Sequence, residues 1–157
     1  MDEQDRRVLT LLQRDGELTG DELGALVGLS TSTVQRRLKR LKADGVLTVK
    51  GIVDAASVGR PLAFVIEIEV GRGRPELLQP LKEWLLDCDD IQDVYHVTGR
   101  SDFLCTATSK DMASFDATIT ALLTSNPNVT KLTTKVAFSV LKRSLYVPVE
   151  RVAAAFE

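Results

Sequence analysis

Val27-Gly28-Leu29-Ser30-Thr31-Ser32-Thr33-Val34-Gln35-Arg36-Arg37-Leu38-Lys39-Arg40-Leu41-Lys42 decides how the first third of the chain folds. Gly28 supplies a left-handed stop for the helix before it, and Ser30 is a good N-cap for the helix after it. Val34, Leu38 and Leu41 recur at helical spacing and face inward, Arg36, Arg37, Lys39 and Arg40 point elsewhere, and Gly45 closes the helix. Upstream, Val8, Leu9, Leu11 and Leu12 mark an amphipathic helix over about 2–14, ended by Asp15 and Gly16. Thr19 and Glu22 stand in capping-box spacing ahead of a short helix whose buried stripe is Leu23, Leu26 and Val27. Three short helices with tight turns form a helix-turn-helix, and the last of them would enter a DNA major groove. Ser32, Thr33, Gln35 and Arg36 would reach base edges first. Arg37, Lys39, Arg40 and Lys42 suit phosphates. The alternative is a solvated basic helix face that binds nothing.

After residue 46 the pattern breaks. Val46, Leu47 and Val49 could form a short strand, while Gly51, Gly59 and Pro61 interrupt any periodicity, so residues 47–61 read as a connecting segment between a first domain over 1–46 and a second over 62–157. Beyond it the period becomes two: Phe64, Ile66, Ile68 and Val70 alternate with Val65, Glu67 and Glu69. Pro75 introduces a helix bearing Leu77, Leu78, Leu81, Trp84 and Leu85. Ile91 to Thr98 and Asp102 to Thr108 read as a hairpin turning at Gly99-Arg100-Ser101. Asp111 caps a helix with Met112, Phe115, Ile119, Leu122 and Leu123 inward, and Val129 to Leu141 reads as a last long strand. The order βαββαβ is the ferredoxin-like arrangement, giving an α+β chain. Its open sheet face, expected to carry Val94, His96, Thr134 and Val136, would invite dimerisation.

The composition, 44% hydrophobic and 27% charged, excludes a disordered or fibrous chain. A net charge of −2 also argues against a protein that coats nucleic acid indiscriminately. The charge is uneven: residues 1–50 hold 9 Lys/Arg against 8 Asp/Glu, and residues 51–157 hold 11 against 14. Cys88 and Cys105 are too few for a disulfide framework and lie in no metal-ligand spacing. His96 is the lone histidine and reads as a sheet-face residue, while Cys105 and Trp84 read as core. Gly71-Arg72-Gly73-Arg74 reads as a turn, because it lacks the Lys-Ser/Thr ending of a phosphate loop. No apolar run approaches the length of a membrane span, and acidic residues follow Met1 at once, so the expected location is the cytoplasm. No catalytic residue, metal or cofactor is expected.

Asp5, Val8-Leu9, Leu12-Gln13-Arg14-Asp15-Gly16, Glu22-Leu23, Val27-Gly28-Leu29-Ser30, Arg36-Arg37-Leu38-Lys39-Arg40-Leu41 and Gly45-Val46-Leu47 together resemble the start of the Lrp/AsnC (leucine-responsive, feast/famine) transcription regulators. Val97-Thr98-Gly99-Arg100-Ser101-Asp102-Phe103 is similar to the Gly-x-x-Asp-aromatic turn of that family's C-terminal regulatory domain. The resemblance implies a winged-type helix-turn-helix binding double-stranded DNA and a connecting strand that pairs with a partner subunit. It also implies a homo-oligomer, dimers commonly assembling to octamers, with an amino-acid effector between subunits near the turn. Carried over, Thr98, Gly99, Arg100, Ser101 and Asp102 become the effector-contact candidates, with Thr134 and Val136 on the last strand as further ones. Exposed backbone N–H groups at such a turn can meet a carboxylate, and Asp102 an ammonium group. The alternative is that Gly99 simply closes a hairpin that Asp102 caps.

The sequence departs from the family pattern at three places. Thr31 stands where relatives often carry Pro, and Lys42 where an acidic residue is usual; Thr48-Val49-Lys50-Gly51 lacks the usual Gly-aromatic pair. A small α/β metabolic enzyme or ligand-binding module with a helical interaction domain is the competing reading, because a ferredoxin-like fold alone says little about function.

Overall fold

The computed structural model describes residues 1–71 and 75–149. They form two compact units: Met1–Ile52 together with the described part of the segment that begins at Arg143, and Val53–Lys142. The expected turn at 71–74 lies outside the described residues from Arg72 onward.

In the first unit, α1 (Glu3–Arg14) opens on a reciprocal cap. The Asp2 carboxylate accepts from the Asp5 N–H at 2.8 Å and the Asp5 carboxylate from the Asp2 N–H at 3.0 Å. Two otherwise orphaned N-terminal donors are thereby satisfied. α2 (Gly20–Val27) carries the expected Thr19/Glu22 capping box. The turn into α3 (Thr31–Ala43) needs two glycines for different reasons. Gly28 sits at φ +72°, where a Cβ is strained. Gly24 accepts from the Leu29 N–H at 2.9 Å, and a Cβ on it would lie 2.6 Å from the Leu29 carbonyl oxygen. Val8, Leu23, Val27 and Val34 form the core, with Leu11, Leu12, Leu18, Leu29 and Leu38 packed around it. Leu26, expected in the buried stripe, is half exposed, because the eight-residue helix turns it away from α1 and α3.

The second unit runs β1 (Leu62–Val70), a single 3₁₀ turn (Pro75–Leu77), α4 (Leu78–Asp87), β2 (Ile91–His96), β3 (Phe103–Ser109), α5 (Met112–Ser125) and β4 (Val129–Val136). The sheet order is β2-β3-β1-β4 with antiparallel pairs throughout, the expected ferredoxin-like topology. Phe64, Ile66 and Ile68 of β1 point into a core completed by Leu81 and Leu85 of α4, Phe103, Cys105 and Ala107 of β3, and Phe115 and Leu122 of α5. The Phe64 and Phe115 rings stack with centroids 3.6 Å apart.

Five expectations are corrected. Register places Val94 opposite Cys105, His96 opposite Phe103, Thr134 opposite Ile66 and Val136 opposite Phe64. Directly paired residues share a sheet face, so all four lie on the helix-covered face, not the open one. His96 accordingly stacks on buried Phe103. The open face carries Val65, Glu67, Tyr95, Leu104, Thr106, Thr133 and Lys135 instead. β4 stops at Val136 rather than Leu141, because its partner β1 begins at Leu62, just after Pro61, and the Ala137 N–H takes the last available acceptor on Ala63. Met112 and Leu123 are exposed, leaving Phe115 and Leu122 as the buried residues of α5. Residues 46–49 form no strand, since their backbone finds no ladder partner within the described residues of one chain. Finally, residues 143–149, expected with the second domain, group with the first unit.

Candidate nucleic-acid interface and effector turn

α3 presents two different basic surfaces. Ser32, Gln35, Arg36 and Lys39 are exposed and fall three, one and three residues apart, so they share one stripe facing away from buried Val34 and Leu41. Arg36, Lys39 and Lys42 have no ion-pair partner among the described residues. Thr33, also expected at base edges, is half-buried and its hydroxyl turns back to the Ser30 hydroxyl at 2.8 Å. The Gln35 amide lies close over Gly20, where a Cβ would stand 2.5 Å from its nitrogen.

Arg37 and Arg40 are used differently. Asp5 is 1% exposed, and its two carboxylate oxygens accept from Arg37 at 2.7 Å and Arg40 at 2.5 Å. Arg37 also reaches Asp2 at 2.6 Å and its side chain is only 18% exposed. Burial pushes the Asp5 carboxyl up, but the Asp2 backbone N–H and the Arg37 guanidinium outweigh it, and the net displacement is downward. Asp2 is pulled to about 2, first by the Asp5 N–H and then by Arg37. Arg37 is correspondingly raised by the side chains of Asp2 and Asp5. Two of the side chains read from the sequence as phosphate contacts therefore bind α3 to α1. The signal for this lay in Asp2-Glu3-Gln4-Asp5, whose spacing is that of a cap.

The β2–β3 turn gathers Thr98, Gly99, Arg100, Ser101 and Asp102 at one end of the sheet. Gly99 stands at φ +122°, a region essentially reserved for glycine. Asp102 ties the turn to β1: its N–H donates to the Ile68 carbonyl at 2.9 Å, its carbonyl accepts from the Val97 N–H at 2.9 Å, and its carboxylate accepts from the Val70 N–H at 2.8 Å. The Arg100 guanidinium stands 3.7 Å from Glu69, which also pairs with Lys131 at 2.9 Å. Thr134 and Val136 are not brought to this turn within one chain. They are level with Ile66 and Phe64, whereas Asp102 is bonded beside Ile68 and Val70. At roughly 3.3 Å per residue, that offset is on the order of 10 Å or more along the strand.

Residues 63–147 match the model of the Lrp/AsnC ligand binding domain, and residues 1–48 match a winged helix-turn-helix DNA-binding model. The chain belongs to the Lrp/AsnC family. It is 31% identical over 151 residues to an HTH-type transcriptional regulator of Sinorhizobium fredii, covering 96% of this chain and 89% of that one. It is 27% identical to the leucine-responsive regulatory protein of Escherichia coli over 145 residues, 92% of this chain and 88% of the relative. In structure, this Lrp/AsnC chain superposes on a Neisseria meningitidis transcriptional regulator crystallised with L-methionine at a TM-score of 0.89 and 24% identity, covering 98% and 99% of the two chains. An AsnC family regulator from Agrobacterium tumefaciens gives a TM-score of 0.87 at 25% identity, covering 94% and 97%. These likenesses establish a helix-turn-helix followed by a ferredoxin-like regulatory domain as the fold of the family member described here.

Proposed function

We propose that this protein regulates transcription by placing α3 in the major groove of duplex DNA, and that an amino acid bound at the Thr98–Asp102 turn alters that binding. The observation that carries the DNA half is the exposed Ser32, Gln35, Arg36 and Lys39 stripe, whose cations have no ion-pair partner among the described residues while neighbouring Arg37 and Arg40 pair with Asp5. Gln35 and Arg36 have the donor geometry to read adenine and guanine, and Lys39 and Lys42 suit phosphate oxygens. For the effector half, Gly99 opens the backbone of the turn, and Arg100, 81% exposed, offers a guanidinium to a carboxylate. The Neisseria relative's complex with L-methionine supports an amino acid as the ligand class.

Because Thr134 and Val136 lie apart from the turn in one chain, we assign effector binding to a homo-oligomer in which subunits meet there, a dimer assembling to an octamer. The mechanism is linkage: a ligand that favours one assembly shifts the spacing of recognition helices and hence the half-sites they can bridge. We read the chain as a regulator rather than a catalyst, acting in the cytoplasm. Among the described residues no helix is long and apolar enough to cross a membrane.

The test is a thermal-shift panel against the twenty amino acids, with native mass spectrometry on the same samples. A ligand at a hundred times its dissociation constant stabilises by about 2.7 kcal/mol. A shift with one or a few amino acids that is lost in Arg100→Ala supports the turn as the site; no shift with any of them removes amino-acid sensing.

A further inference from the structure

We propose that the flank of α1 is a docking site for an extended peptide, that its occupant is the chain's own segment Ser144–Val147, and that Gln13 is the residue that holds it. The Gln13 amide nitrogen donates to the Val147 carbonyl at 3.0 Å, and the Val147 N–H donates to the Gln13 amide oxygen at 2.6 Å. A primary amide thus matches both polar groups of one peptide residue, the pairing a residue makes with its neighbour in an antiparallel ladder. Such a match requires that the N–H and C=O of Val147 point the same way, which holds only in an extended conformation. Pro148 favours that conformation at the residue before it. The Tyr146 N–H is satisfied within the segment by the Ser144 hydroxyl at 3.1 Å, whereas the Val147 N–H docks on Gln13.

The occupant is identified by continuity and grouping. Residues from Arg143 pack with Met1–Ile52, although the ligand-binding family model extends to residue 147. The chain therefore leaves the first unit at Ile52 and returns to it at Arg143. The inference goes beyond the regulator reading, and its readouts involve neither DNA nor an amino acid.

The experiment is amide hydrogen exchange and limited trypsin cleavage after Lys142 and Arg143 on the full chain, with Gln13→Ala, Gln13→Glu and Val147→Pro. Loss of the pairing in Gln13→Ala speeds exchange at Val147 about tenfold, the scale of one net hydrogen bond. Gln13→Glu keeps the acceptor and falls between the two. Gln13→Ala and Val147→Pro both speed cleavage, and the double variant cleaves no faster than either single one, because both remove the same contact. An unprotected Val147 amide in the wild type, or unchanged cleavage in Gln13→Ala, overturns the docking. Protection that disappears on dilution overturns the assignment of the chain's own segment in favour of a second copy's.

Discussion

Asp5→Asn isolates the charge that binds α3 to α1 while keeping the shape of the side chain. The substitution weakens two charge-assisted hydrogen bonds, to Arg37 at 2.7 Å and Arg40 at 2.5 Å, each worth about 1.5–3 kcal/mol net. Breaking a buried pair costs about 3–5 kcal/mol when the partner is stranded. Here Arg37 keeps Asp2 at 2.6 Å, and Arg40, with its side chain 51% exposed, rehydrates, so the cost settles at the lower end, about 3 kcal/mol. For a unit of this size, that lowers the melting temperature by about 12 °C or more. Calorimetry of the full chain would show the N-terminal transition moving while that of residues 53–142 stays. The same variant frees Arg40 from Asp5, while Arg37 stays on Asp2, so binding to a random-sequence duplex, measured well below the melting transition, should become more salt-dependent. Each phosphate gained steepens the slope of log K against log salt by about 0.9. Lys39→Ala, which removes a cation suited to a phosphate, should flatten it by about the same amount. If Asp5→Asn melts with the wild type, or Arg37→Ala flattens the slope as much as Lys39→Ala, the division of α3 into an exposed stripe and a tied stripe is wrong.

Acid should act on the same cluster. Asp2 is depressed from the ordinary 3.8 to about 2 and Asp5 is also depressed, so their contribution is complete above 3.8 and declines below it, that of Asp2 being lost as pH falls through about 2; denaturation midpoints measured against pH should show this fall flattened in Asp2→Asn. Gly24→Ala should cost about 1–3 kcal/mol, since its Cβ meets the backbone oxygen of Leu29, whereas Gly20→Ala meets side chains alone, the movable end of Gln35 and the Thr31 methyl, and should cost less; urea titration separates the two. Burial pushes the Cys105 thiol up to about 11, so iodoacetamide at pH 8 should leave it unmodified in the native protein and modify it after unfolding, by mass spectrometry of the tryptic peptides.

Where local chemistry decides, the fold was legible. The Thr19/Glu22 and Ser30 caps, the Gly28 stop and the alternation of β1 all specified their elements through neighbours a few residues away. The strand faces of β2 and β4 were not legible, because His96, Thr134 and Val136 mix polar and apolar character, and only pairing with Phe103, Ile66 and Phe64 fixes which way they point. Apolar Val136, Phe138 and Val140 imitate a longer strand, but strand length is set by the partner that Pro61 ends. The same limit governs the candidate site. Exposure of Gln35, Arg36 and Lys39 follows from helical phase, whereas the capture of Arg37 depends on an acid 32 residues away. Gln13 and Val147, 134 residues apart, leave no trace in either local sequence.

A unit that begins after Ile52 and ends before Arg143 is a cassette set into another along the chain, and that changes how chimaeras should be cut. Exchange at the boundaries suggested by sequence families, residues 63 and 147, would carry a foreign tail onto α1 and leave Gln13 facing a segment it was not matched to. Junctions at 52 and 143 would transplant the whole second unit and leave the native tail in place.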